Sequence, residues 1–204
     1  MSHCEIKDGV LHYNFSKCLR HLEKMGKKHY GHKFQLNPKD RSILYKLIVY
    51  FIEDDENCKK QNIDPKKGIL LTGPVGCGKT SLMVLMRYFS PHQLIVKPSR
   101  EIAFEFIKEG YGTINKYGKK PTQYCFDDLG VEQSIKYFGN ECNVQAEILL
   151  SRHELFINQG IKTHATTNLN AKELEKLYGN RVRSRLREMF NLIAFDKDVG
   201  DKRR

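Results

Sequence analysis

The chain has 204 residues, enough for one α/β domain with a small appendage. No apolar run reaches the length that crosses a bilayer, and no charged-then-apolar amino terminus ending in small residues marks a secretory signal. Lys and Arg exceed Asp and Glu to give a formal charge of +11, which suits a polyanionic partner, nucleic acid being the usual one, with a generally basic enzyme as the plainer alternative.

Residues 1–35 have weak periodicity and many histidines and lysines. The tract from His21 to Lys33 reads as an arm that touches phosphates or as a solvated leader. Asn37-Pro38 has the chemistry of a helix start. Ile43, Leu44, Leu47, Ile48, Phe51 and Ile52 then form a helical stripe, so the domain is expected to begin near Leu36. A polar loop from Glu53 to Lys67 leads to Gly68–Thr72, a short apolar run suited to a buried strand.

Gly73 to Thr80 reads Gly-Pro-Val-Gly-Cys-Gly-Lys-Thr and fits Gly-x-x-x-x-Gly-Lys-[Ser/Thr], the phosphate-binding loop or Walker A motif. Glycines let successive N–H groups turn inward around a phosphate. Lys79 adds a cation, the Thr80 hydroxyl can ligate Mg²⁺, and the following helix aims its positive end at the same anion. The nucleotide-contacting set is therefore Gly73, Pro74, Val75, Gly76, Cys77, Gly78, Lys79, Thr80 and Ser81. Thr80 to Phe89 has helix-forming composition, completing strand, glycine loop and helix in the required order.

After Ser90-Pro91, Leu94–Val96 reads as a second strand, and Ser99 can cap a helix to about Lys108. Gly110 to Lys120 is glycine-rich and basic and is expected to be an exposed loop. Gln123 to Asp128 is an apolar strand ending in two carboxylates, the Walker B pattern. Asp127 can hold Mg²⁺ through water, and Asp128 can polarise an attacking water. Residues 141–159 form a helical candidate that Gly160 ends. Ile161–Thr167 reads as a fourth strand with Asn168 at its carboxyl end, where an open parallel sheet positions polar groups. A short helix from Ala171 to Leu177 precedes a cluster of Arg181, Arg183, Arg185 and Arg187. Asn191–Phe195 supplies a fifth strand, and Asp196 to Arg204 is a charged tail whose Lys-Arg-Arg ending is read as solvated. Cys4, Cys18, Cys58, Cys77, Cys125 and Cys142 lack any Cys-x-x-Cys pair, which suits reduced thiols and a cytoplasmic location.

Five strands alternating with helices call for a parallel sheet covered on both faces. GPVGCGKT, CFDDLG, THATTNL and YGNRVRSRL, in that order, resemble the DnaC/IstB group of AAA+ ATPases, over about residues 36–196. That resemblance implies an AAA+ P-loop NTPase, a three-layer α/β sandwich on a five-stranded parallel sheet without a carboxyl-terminal helical lid. It divides the chain into a basic extension, 1–35, and an ATPase domain, 36–204. It implies ATP and Mg²⁺ as ligands, with Thr80 and Asp127 at the metal, and Asp128 as the acid that orients water. It makes Asn168 the first sensor, on a strand between those carrying the two Walker motifs. Arg185 matches the arginine that reaches a neighbouring subunit's nucleotide, with Arg181 as second candidate. The implied partners are DNA, single-stranded by preference, a replicative helicase or a transposase, and further copies of the chain. Asp128 stands where vigorous AAA+ motors carry Glu, so slow, assembly- or DNA-stimulated turnover is expected. An adaptor that uses ATP only to lock a conformation, and a small-molecule kinase, remain as alternatives.

Overall fold

The computed structural model describes residues 4–7, 10–131, 135–137, 140–196 and 200–202. A hairpin of β1 (Cys4–Lys7) and β2 (Val10–Tyr13) leads into helix α1 (Phe15–Tyr30). Asn14 caps α1, its side chain accepting from the Lys17 N–H at 3.0 Å. A 3₁₀ turn over Pro38–Asp40, capped by Asn37, starts α2 (Arg41–Phe51), and α3 (Asp55–Lys60) follows. The chain then runs through β3 (Gly68–Thr72), α4 (Lys79–Met86), β4 (Leu94–Pro98), α5 (Ser99–Glu109), α6 (Tyr111–Gly118) and β5 (Gln123–Leu129). A short antiparallel pair, β6 (Ile135–Tyr137) and β7 (Asn140–Cys142), precedes α7 (Val144–Gln159), β8 (His164–Thr167), α8 (Ala171–Met189) and β9 (Phe190–Ala194).

The main sheet has the order β4-β5-β8-β3-β9, and every pair in it is parallel. Side chains alternate across it, as a pleated strand requires. Ile69 and Leu71 of β3 and Cys125 of β5 join one core with α1, α2, α3 and α4. Leu70, Tyr124, Phe126 and Ala165 face the opposite core with α5, α6, α7 and α8. The result is the expected three-layer sandwich with β3 flanked on both sides. Among the described residues no helix follows β9, and no helix is long and apolar enough to cross a membrane. All six cysteines are thiols outside any disulfide.

Four local readings change. Most of the tract from His21 to Lys33, expected as an arm or leader, belongs to the helix Phe15–Tyr30, in which Cys18 and Leu22 are fully buried among residues of α2 and α4. Its apolar stripe is narrow, and lysine and histidine between its members hide it in the sequence. Residues 111–118, expected as an exposed loop, form α6 with Ile114 and Tyr117 buried. The Lys116 ammonium and the Tyr117 hydroxyl each donate to Glu105 of α5 at 2.8 Å, and Lys97 of β4 pairs with the same carboxylate at 2.7 Å. Burial alone would raise the Glu105 carboxyl; these donors outweigh it and bring the group down to about 2. The polar run after Glu53 contains α3, whose Cys58 is buried. Ser99 does not cap α5 through its side chain: it lies inside the first turn with its hydroxyl buried and without a hydrogen-bond partner.

Candidate functional site

The loop from Gly73 to Gly78 joins the carboxyl end of β3 to α4. Gly76 and Gly78 take φ of +80° and +98°, conformations that cost a side-chain-bearing residue roughly 1 kcal/mol or more. Lys79 is buried, and its Nζ donates to the carbonyl oxygens of Gly73 at 2.8 Å and Pro74 at 2.9 Å. Those contacts hold the ammonium across the mouth of the loop, aligned with the amino terminus of α4.

The acids arrive from the neighbouring strands. Between Phe126 and Leu129 the pairing of β5 with β8 shifts, so three steps along β5 match two along β8. This irregularity falls on Asp127 and Asp128, and Asp128 takes φ +55°. A non-glycine residue held there stores strain of about 1–3 kcal/mol, as at many functional positions. The Thr80 hydroxyl donates to the Asp127 carboxylate at 2.9 Å, and the Thr166 hydroxyl does so at 2.6 Å. The Asp128 N–H donates to Thr166 Oγ1 at 2.9 Å. Burial pushes the Asp127 carboxyl above its ordinary value and the Asp128 charge adds to this, while Thr166, Thr80 and Lys79 draw it part of the way back. A hydroxyl and a carboxylate oxygen meeting in this way form a hard-oxygen donor pair that suits Mg²⁺. A cation there would offset the cost of burying the carboxylate.

Because β8 lies between β3 and β5, its carboxyl end sits between the phosphate loop and the acids. Asn168, the next residue after β8, is exposed and lines the same cleft as Lys79, Thr80 and Asp128. That cleft has a volume of about 830 Å³. Asp127 does not line it directly and stands behind Thr80. Arg181 and Arg185 do not line it either. They lie on α8, which kinks at Gly179 (φ +82°), and Arg185 pairs with Glu188 at 3.1 Å. Glu188 also meets His153 of α7 at 2.9 Å. In the isolated chain the arginine cluster is therefore separate from its own phosphate loop.

Tyr30, Phe34, Asp40 and Lys202 are among the lining residues that the sequence did not single out. Phe34 lies so close to α1 that a Cβ on Gly26 would meet its ring at 2.1 Å, and it stacks on Tyr30 with centroids 5.5 Å apart. The Tyr30 hydroxyl shares a hydrogen bond with Ser81 at the start of α4. A glycine in α1 followed eight residues later by an aromatic was the one available hint of this wall. The Lys-Arg-Arg ending was read as solvated, yet Lys202 folds back onto the phosphate loop. Arg203 and Arg204 lie outside the described residues.

A parallel sheet with one strand inserted between its phosphate-loop strand and its acid-bearing strand, and a Gly-x-x-x-x-Gly-Lys-Thr loop, define an α/β P-loop NTPase fold. No protein-family model matches the chain, and no curated protein matches it. Among solved structures it is similar to the DnaC helicase loader, with a TM-score of 0.56 and 20% identity over 80% of this chain and 93% of that one. It is similar also to DnaA from Aquifex aeolicus bound to AMPPCP, with a TM-score of 0.53 and 18% identity over 80% of this chain and 48% of that one. A replication initiator DnaA bound to AMPPCP and single-stranded DNA matches to the same degree, and the chain spans about half the length of these DnaA proteins. These likenesses establish the fold.

Proposed function

We propose that this chain is an ATP-binding and ATP-hydrolysing AAA+ protein of the DnaC/IstB kind that acts on DNA with a helicase or transposase partner. The observation that carries the reading is the convergence of Lys79, Thr80, Asp128 and Asn168 on one cleft, with Asp127 hydrogen-bonded to Thr80 from behind. The similar folds of a helicase loader and of an initiator bound to AMPPCP and single-stranded DNA support the replication context. The charge of +11 supports a nucleic-acid partner.

The residues fit ATP with Mg²⁺. Thr80 would ligate the metal directly and Asp127 through water, and the ion would neutralise phosphate charge. Lys79 exchanges its two carbonyl partners, Gly73 and Pro74, for the β- and γ-phosphates. The loop N–H groups receive the β-phosphate. Asp128 accepts a hydrogen bond from the attacking water and Asn168 fixes that water or the γ-phosphate. The side chain of Asp is one methylene shorter than that of Glu, so Asp128 holds the water less closely and turnover is slow. Arg185, with Arg181 beside it, supplies charge to the nucleotide of a second protomer; such a residue is worth roughly 10³–10⁵ in rate.

Calorimetry on the folded chain tests the reading. The wild type is expected to take up ATP with Mg²⁺, and Lys79→Ala to lose that uptake while keeping its unfolding temperature. A folded wild type that binds neither ATP nor ADP would overturn the proposal.

A further inference from the structure

Two successive carbonyls of the phosphate loop are bonded by one residue far away in sequence, which stands at the edge of the cleft. The Lys202 N–H donates to the Gly76 carbonyl at 3.0 Å, and the Lys202 ammonium donates to the Cys77 carbonyl at 2.6 Å. The same ammonium pairs with the Asp40 carboxylate, which is buried at the start of α2, and lies 5.0 Å from the centre of the Phe195 ring. The approach is close, for a Cβ on Gly76 would meet the Asp201 carboxylate at 2.2 Å.

In a trans peptide the C=O and N–H point in opposite directions. Turning the Gly76 and Cys77 carbonyls outward therefore turns the N–H groups of Cys77 and Gly78 inward. The Cys77 N–H does face the loop interior, where it reaches the Pro74 carbonyl at 3.4 Å. A donor on a carbonyl also polarises the N–H of the same peptide unit, and a charged donor does so more strongly.

We propose that Lys202 is a positioning residue for the nucleotide: by bonding the outer carbonyls of residues 76 and 77 it holds and strengthens the amide donors that receive the phosphates. Asp40 anchors the ammonium in that place. Both groups are charged and one is buried, so the pair holds its position where a lone lysine would remain in solvent. The inference rests on the nucleotide reading of the cleft.

The test measures affinity for Mg²⁺-ADP and for pyrophosphate by calorimetry. The wild type is compared with Lys202→Met, Lys202→Arg and the charge-balanced pair Asp40→Asn with Lys202→Met, and each variant's unfolding temperature is recorded. Loss of a charge-assisted bond is expected to weaken both ligands about tenfold and by the same factor, in the single and in the paired variant. Lys202→Arg is expected to recover most of the loss. The paired variant leaves no buried carboxylate alone, so it separates positioning from damage to the fold. Equal affinities in folded Lys202→Met and wild type overturn the inference and leave the nucleotide reading standing. Tighter binding in the variant overturns it as well, because the tail would then be an obstruction. Weakening of ADP without weakening of pyrophosphate places Lys202 on the base or sugar and overturns it. A folded wild type that binds neither ligand overturns the nucleotide reading and this inference together.

Discussion

His164 shows how much one side chain near the site constrains. It is buried at the start of β8 between the rings of Tyr50 and Phe51, and its Nδ1 accepts from the Ile69 N–H at 3.2 Å. Burial, with the Lys162 and Arg152 charges adding to it, lowers the imidazole from its ordinary value to about 3. The neutral ring is therefore favoured by the folded state, and the unfolded chain binds the proton more readily. The stability this provides is complete above about pH 6.5 and is lost as pH falls from there toward 3. Within that window the group should remove about 1.4 kcal/mol per pH unit. Urea unfolding at a series of pH values should show a slope steeper by this amount in the wild type than in His164→Asn, which keeps an acceptor without titrating. Equal slopes in the two proteins would mean that the ring is protonated when folded. Local pattern in the sequence marks the strand to which His164 belongs and says nothing of its charge, which is set by rings from α2 that come from more than a hundred residues away.

The elements differ in how plainly their sequences declare them. β3 and β5 are continuous apolar runs bounded by glycine or by acids, and α7 ends on Gly160 in a left-handed conformation, so all three are legible. The expectation that Asn168 follows a strand lying between those of the two Walker motifs came from the resemblance to a known family; the inserted order β3-β8-β5 appears in the sheet itself. α1 and α6 are not legible, since lysines and histidines interrupt the apolar pattern of α1 and two glycines that of α6, while a few apolar side chains decide their burial. Leu22 of α1 is wholly buried against the α2 and α4 core. Leu22→Ala is accordingly expected to cost about 2–5 kcal/mol in denaturant unfolding, the range for a core leucine. A solvated leader would give less than about 0.5 kcal/mol, so the measurement decides whether the first thirty residues belong to the domain. Because the end of α1 supplies Tyr30 to the cleft, the same variant should also weaken nucleotide binding.

At the scale of the whole molecule the arrangement of charge argues for assembly. Lys79, Thr80 and Asp128 line the cleft, while Arg181 and Arg185 on α8 do not, and Arg185 is engaged by Glu188. In the proposed reaction an arginine must reach a neighbour's nucleotide, which makes the interface head-to-tail: one protomer offers its cleft and the next its α8. Two inactive variants should then repair each other. Lys79→Ala keeps its arginines but cannot hold ATP, and Arg185→Ala holds ATP but has no cation to lend. Each alone is expected to hydrolyse ATP at least a hundredfold more slowly than wild type in the presence of single-stranded DNA. Mixed in equal amounts, about a quarter of interfaces pair an intact cleft with an intact arginine. Steady-state phosphate release should rise toward that fraction of the wild-type rate. A mixture no faster than its two components would show that Arg185 acts within its own chain or has no part in hydrolysis, and the head-to-tail arrangement would fall with it.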